Sequence, residues 1–105
     1  MQKPKKYRIK EFLDQYREQH GSVEAQRLEV RILLLTMSSK SKFYYRYTAT
    51  LGETDKAKTI SVSDMMMVMN CLNEKRPEGH KIKLQDLYHP ETQEVELSIY
   101  MPIPA

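Results

Sequence analysis

The hydrophobic period changes at Gly21, and that change divides the chain. Before it, Ile9, Phe12, Leu13, Tyr16 and His20 recur at the spacing of one helical face. Lys10, Asp14, Arg17 and Glu18 fall on the opposite, solvated side. Gly21 supplies the positive φ that ends such a helix. Beyond it the period drops to two. Leu28, Val30, Ile32 and Leu34 alternate with Arg27, Glu29 and Arg31, the pattern of a half-buried strand. Leu33, Leu35 and Met37 make the other face apolar as well, which places the second half of that strand centrally in a sheet.

The rest of the chain follows the same reading. Ser38–Ser41 is a turn-like break. Lys42 to Leu51 is rich in β-formers and reads as a second strand. After a turn at Gly52–Asp55, Lys58 to Val62 is a short third strand. Ser63 then caps a second helix, whose apolar face is Met65, Val68, Met69 and Leu72 and which ends before Pro77. Ile82 and Leu84 alternate with Lys81 and Lys83 in a fourth strand. Val95, Leu97, Ile99 and Met101 mark a fifth, with Glu94, Glu96, Ser98 and Tyr100 on its other face. The expected fold class is α+β, in the order α-β-β-β-α-β-β. A mostly antiparallel sheet of about five strands carries two helices on one face. Residues 1–6 form a basic flexible arm ahead of a single domain over 7–105.

A chain of 105 residues builds one core and no second domain. Its single cysteine forms no internal disulfide, which fits a reducing compartment. No apolar run approaches the roughly 18 residues that span a bilayer, and no apolar stretch follows the basic start as in a secretory signal. The expected location is the cytoplasm, away from membranes.

The chemistry-bearing residues are sparse. The three glycines stand apart, so there is no phosphate loop. His20, His80 and His89 belong to different expected elements, and no cysteine pair exists, so no metal site is expected. Cys71 in an apolar helix reads as a small buried hydrophobe rather than a nucleophile. Glu94 and Glu96, sharing a strand face, read as edge protection rather than an acid–base pair. The expectation is a non-enzymatic protein with no catalytic residue, cofactor or small-molecule substrate.

Charge is the positive feature. Residues 1–10 carry +5 and residues 27–46 carry +4, against a formal total of +3. Clustered positive charge attracts polyanions. Lys42, Tyr44 and Arg46 share one face of the expected second strand, where bases stack on rings and cations hold phosphates. Lys5, Lys6, Arg8, Arg31, Lys40, Lys42, Tyr44 and Arg46 are the candidate contacts for RNA or a single strand. The expected function is that of a small binding or regulatory protein using this basic face. The alternative is a protein-interaction module or homodimer. It would use Met66 and Met67 of the Met65–Met69 run, or a free sheet edge.

Over residues 7–76 the element order helix, three strands, helix is similar to that of the double-stranded-RNA-binding domain. That family places a lysine cluster at the start of its second helix. Here the corresponding stretch is Ser63-Asp64-Met65-Met66-Met67, acidic and apolar. The resemblance therefore implies a fold and not a phosphate-gripping site.

Overall fold

The structure, a computed structural model, describes residues 4–91. These form four α-helices and two 3-10 turns, with no strand among the described residues. The helices are α1 (Ile9–His20), α2 (Ser22–Leu35), α3 (Lys40–Tyr47) and α4 (Val62–Asn73). The 3-10 turns are Lys56–Lys58 and Leu84–Leu87.

The α+β expectation is thereby overturned, and each misplaced strand has a physical reason. The alternation after Gly21 contains a second period. Ala25, Leu28 and Ile32 stand at i, i+3 and i+7, and they are the buried residues of α2. Phe43 and Tyr47, four apart, are likewise the buried residues of α3. Ser39 starts that helix, its hydroxyl accepting the Lys42 N–H at 3.2 Å. Packing of this i, i+4 pair outweighs the strand preference of the tyrosines. The third expected strand is a 3-10 turn followed by the cap of α4. That cap is Ser61 rather than Ser63, with its hydroxyl accepting the Asp64 N–H at 3.1 Å. The fourth becomes an extended stretch leading into the 3-10 turn at Leu84–Leu87. The fifth, with Glu94 and Glu96, lies outside the described residues. Without the strands, the likeness to the double-stranded-RNA-binding domain falls away, as does the sheet edge as an interaction surface.

The two expected helices are present. On α1, Ile9 and Tyr16 are buried and Phe12 and Leu13 pack against the core. On α4, Met65, Val68, Cys71 and Leu72 are buried. Gly21 joins α1 directly to α2 at φ 90° and ψ 166°, backbone that a side chain would strain. α2 ends in a Schellman arrangement: Ser38 N–H donates to Leu33 C=O at 3.0 Å and Met37 N–H to Leu34 C=O at 3.3 Å. The left-handed residue of that motif is Met37, at φ 52°.

Residues 4–8 run between the segments 49–51 and 87–89, with Lys6 and Tyr7 buried. Leu51 N–H donates to Pro4 C=O and Lys6 N–H to Ala49 C=O on one side. Arg8 N–H donates to Leu87 C=O and His89 N–H to Lys6 C=O on the other. Isolated antiparallel bridges Lys5–Thr50 and Tyr7–Tyr88 are what remains of sheet pairing among the described residues. The core closes around Tyr7, Phe43, Leu28, Ile32, Met65, Leu72, Leu87 and Tyr88. No described helix is long and apolar enough to cross a membrane.

Candidate nucleic-acid interface

Because α3 is a helix, its basic and aromatic residues spread around a cylinder instead of lining one flat face. The sequence-derived contacts are accordingly dispersed. Lys6 is buried, with its ammonium 5.6 Å from the Tyr7 ring centroid. Arg8 pairs with Glu11 at 2.7 Å and lies over the Phe12 ring. Arg31 pairs with Glu74 at 2.6 Å, tying α2 to α4. Lys40 pairs with Glu29 at 3.6 Å. Arg46 is half-buried and 3.7 Å from Asp64, holding α3 to the start of α4. Tyr44 donates its hydroxyl to Glu29 at 2.7 Å and sets its ring edge-on to Tyr47. Burial, then the Glu29 hydrogen bond, pushes its pKa up to about 12. The ring expected to stack on a base is thus committed to the protein. Lys5 and Lys42 alone among these candidates keep side chains with no partner among the described residues.

A different group comes together around Tyr45. It is the most exposed of the α3 tyrosines, and its hydroxyl has no partner among the described residues. The Lys58 ammonium lies 5.1 Å from its ring centroid and 4.0 Å from Glu53. Lys42 stands one turn before Tyr45 on the same side of α3. Lys56 and Lys58 project from the 3-10 turn that packs on α3. Asp55 starts this turn by accepting the Ala57 N–H at 2.9 Å. Lys5 joins through its backbone bridge to Thr50, in the same connection. Lys5, Lys42, Lys56 and Lys58 face two carboxylates here, Glu53 and Asp55, so the surface is net positive.

Sequence reasoning missed Tyr45, Lys56 and Lys58. On a strand, Tyr45 lies opposite Lys42 and Tyr44, and only helical geometry brings Lys42 and Tyr45 together. The signal that was available is the Ser39 cap followed by Phe43 and Tyr47, which marks a helix.

The methionine run is divided. Met65 is buried, Met67 and Met69 are half-buried, and Met66 is exposed. The larger apolar exposure is on α2, where Val23, Val30, Leu34 and Met37 are 63%, 50%, 73% and 93% exposed. Val23, Val30 and Leu34 fall at i, i+7 and i+11, one stripe along the outer side of the helix, and Met37 follows past the helix end.

Cys71 is buried, and burial pushes its thiol pKa up. Among the described residues no three of His, Cys, Asp and Glu converge as metal ligands. Compared with protein-family models, with curated proteins and with solved structures, the chain shows no match to any of them.

Proposed function

We propose that the protein binds single-stranded nucleic acid, RNA above all, on the surface around Tyr45. The observation that carries this reading is an exposed aromatic ring, that of Tyr45, with the Lys58 ammonium against it and Lys42 and Lys56 nearby. A ring of this kind offers a base a stacking contact of about 1–3 kcal/mol, and lysines beside it neutralise phosphates. The chemistry is binding without turnover, in the cytoplasm, where a lone reduced cysteine is at home. The test is fluorescence anisotropy with labelled single-stranded RNA, single-stranded DNA and duplex, at low and high salt. Single strands are expected to bind, and Tyr45→Ala is expected to remove most of that binding. Tyr44→Phe is expected to leave it intact. Equal binding by Tyr45→Ala and the unaltered chain overturns the reading.

The α2 stripe favours a second reading, self-association. A two-fold axis across the middle of the stripe sets Val23 of one copy against Leu34 of the other, so the stripe complements itself. Arg27, one turn from both Val23 and Val30, stands beside the stripe and is paired with Glu24 at 3.0 Å. These few side chains make a small patch. A stable interface buries roughly 1,600 Å², so the expected dimer is weak and reversible. Sedimentation over a concentration series tests it. A monomer at every concentration, or a Val30→Glu variant that associates as before, removes it.

A further inference from the structure

Beside the α2 stripe of Val23, Val30 and Leu34 lies an open groove of about 430 Å³. Gln26, Val30 and Leu33 line it from α2, Arg17 from α1 and Lys40 from α3. Val30 belongs to both, so stripe and groove form one continuous surface. Helical geometry puts Arg27 and Arg31 on the flank away from the groove. Cations therefore stand on both sides of an apolar seam. Val23 to Leu34 covers about 16 Å of helix axis, three turns of a helix laid alongside.

The carboxylates on this face are already engaged. Glu24 takes Arg27 and Lys75, both at 3.0 Å. Glu29 takes Lys40 at 3.6 Å and the Tyr44 hydroxyl at 2.7 Å. Glu74 takes Arg31 at 2.6 Å. Arg17 forms no ion pair among the described residues. Five cations thus meet three carboxylates, which leaves two positive charges in excess and none of these acids free. A guanidinium has several donors in a fixed fork, so Arg27 and Arg31 keep donors for a further acceptor.

A second copy meets this face with the same excess, and like charges oppose each other across the two-fold axis. That limits self-association. A partner with an apolar seam flanked by carboxylates meets seam and cations together. We infer that the outer face of α2 docks an acidic amphipathic helix of another protein. Its seam packs on Val23, Val30 and Leu34, and its carboxylates reach Arg17 on one flank and Arg27 on the other. The inference goes beyond self-association by giving the same face a better-matched occupant. It shares no residue with the surface around Tyr45, so it stands apart from nucleic-acid binding.

The experiment uses the full-length isotope-labelled chain and two synthetic helical peptides. Both peptides carry the same leucine seam; one is flanked by glutamates and the other by lysines. The glutamate peptide is expected to give saturable amide shifts at Arg17, Val23, Arg27, Val30 and Leu34, with affinity falling as salt rises. The lysine peptide is expected to bind about tenfold more weakly or not at all. Val30→Glu is expected to weaken the glutamate peptide about tenfold, by setting an acid in the seam against acids. Arg17→Gln is expected to weaken it about two- to fivefold, the worth of one exposed ion pair. Both positions are exposed, so the fold persists in each variant. Equal binding of the two peptides, shifts confined to Lys42, Lys56 and Lys58, or no saturable shift overturns the inference. Sedimentation decides between occupants. The glutamate peptide is expected to dissociate any dimer, and a dimer that persists in saturating peptide assigns the face to a second copy and overturns the inference. A chain that is monomeric throughout and binds the glutamate peptide at α2 supports it and removes self-association alone.

Discussion

The backbone N–H of Ile60 donates to the phenolic oxygen of Tyr7 at 2.9 Å, across 53 residues of sequence, in the buried core. It fixes the chain just ahead of α4 against the chain just ahead of α1. Tyr7 also sets its ring edge-on to Tyr88, 5.7 Å between centroids. Tyr7→Phe keeps the ring and strands the Ile60 N–H. The expected cost is about 1–3 kcal/mol of stability, read as a lower urea midpoint with an unchanged slope. An unchanged midpoint would show that the hydrogen bond contributes nothing.

Asn73 at the end of α4 makes both amide contacts to one residue. Its Nδ2 donates to Ile82 C=O at 2.9 Å and its Oδ1 accepts the Ile82 N–H at 2.7 Å. This pair orients the stretch before the last 3-10 turn. Asn73→Ala is expected to destabilise by about 1–3 kcal/mol, and Asn73→Asp by less, because it keeps the acceptor. Thermal melts of the two variants side by side test the order.

Alkaline pH is expected to unfold this protein through its tyrosines. The Tyr44 pKa, raised to about 12 by burial and then by Glu29, exceeds its ordinary value of 10. Tyr47 is shifted in the same direction by burial. The unfolded chain therefore loses these protons first. Their contribution is fully present below about pH 10 and is lost as pH rises toward 12. Melting temperature measured from pH 8 to 12 should fall over that window. In Tyr44→Phe/Tyr47→Phe the fall should be smaller, with fewer late-titrating phenols by ultraviolet absorbance.

Met37 holds a left-handed backbone at φ 52° where a helix end usually has glycine. Met37→Gly is expected to stabilise by roughly 1 kcal/mol, the strain relieved exceeding the added chain entropy. Because Met37 is also the most exposed apolar residue next to the α2 stripe, the same variant should weaken self-association. Stability and sedimentation moving in opposite directions is the signature.

Salt separates phosphate contacts from stacking at the Tyr45 surface. Lys42→Gln or Lys58→Gln is expected to weaken single-strand binding and lower the salt slope by about 0.7 each. Tyr45→Ala is expected to weaken binding with the slope unchanged. A slope that none of the lysine variants alters would place the phosphates elsewhere.

Two helices and their core faces were legible from local information. On α1 the apolar positions follow one helical period, on α4 a helical set runs through the Met65–Met69 cluster, and a glycine or a serine cap bounds each. Between them the sequence is ambiguous in a physical sense. Leu28, Val30, Ile32 and Leu34 alternate, yet Ala25, Leu28 and Ile32 also share a helical face. A short apolar run supports either period, and only the partner it packs against selects one. Packing on α1 and α4 selected the helix, which left Val30 and Leu34 facing outward. The same holds for Tyr44, Tyr45 and Tyr47. Their identity and charge context are written in the sequence, so an aromatic, basic segment was evident from it alone. Which ring is tied to Glu29, which is exposed beside Lys58 and which is buried without a partner depends on the winding of α3 against its neighbours. Contacts between residues far apart in the chain made that choice, and no local pattern carries them.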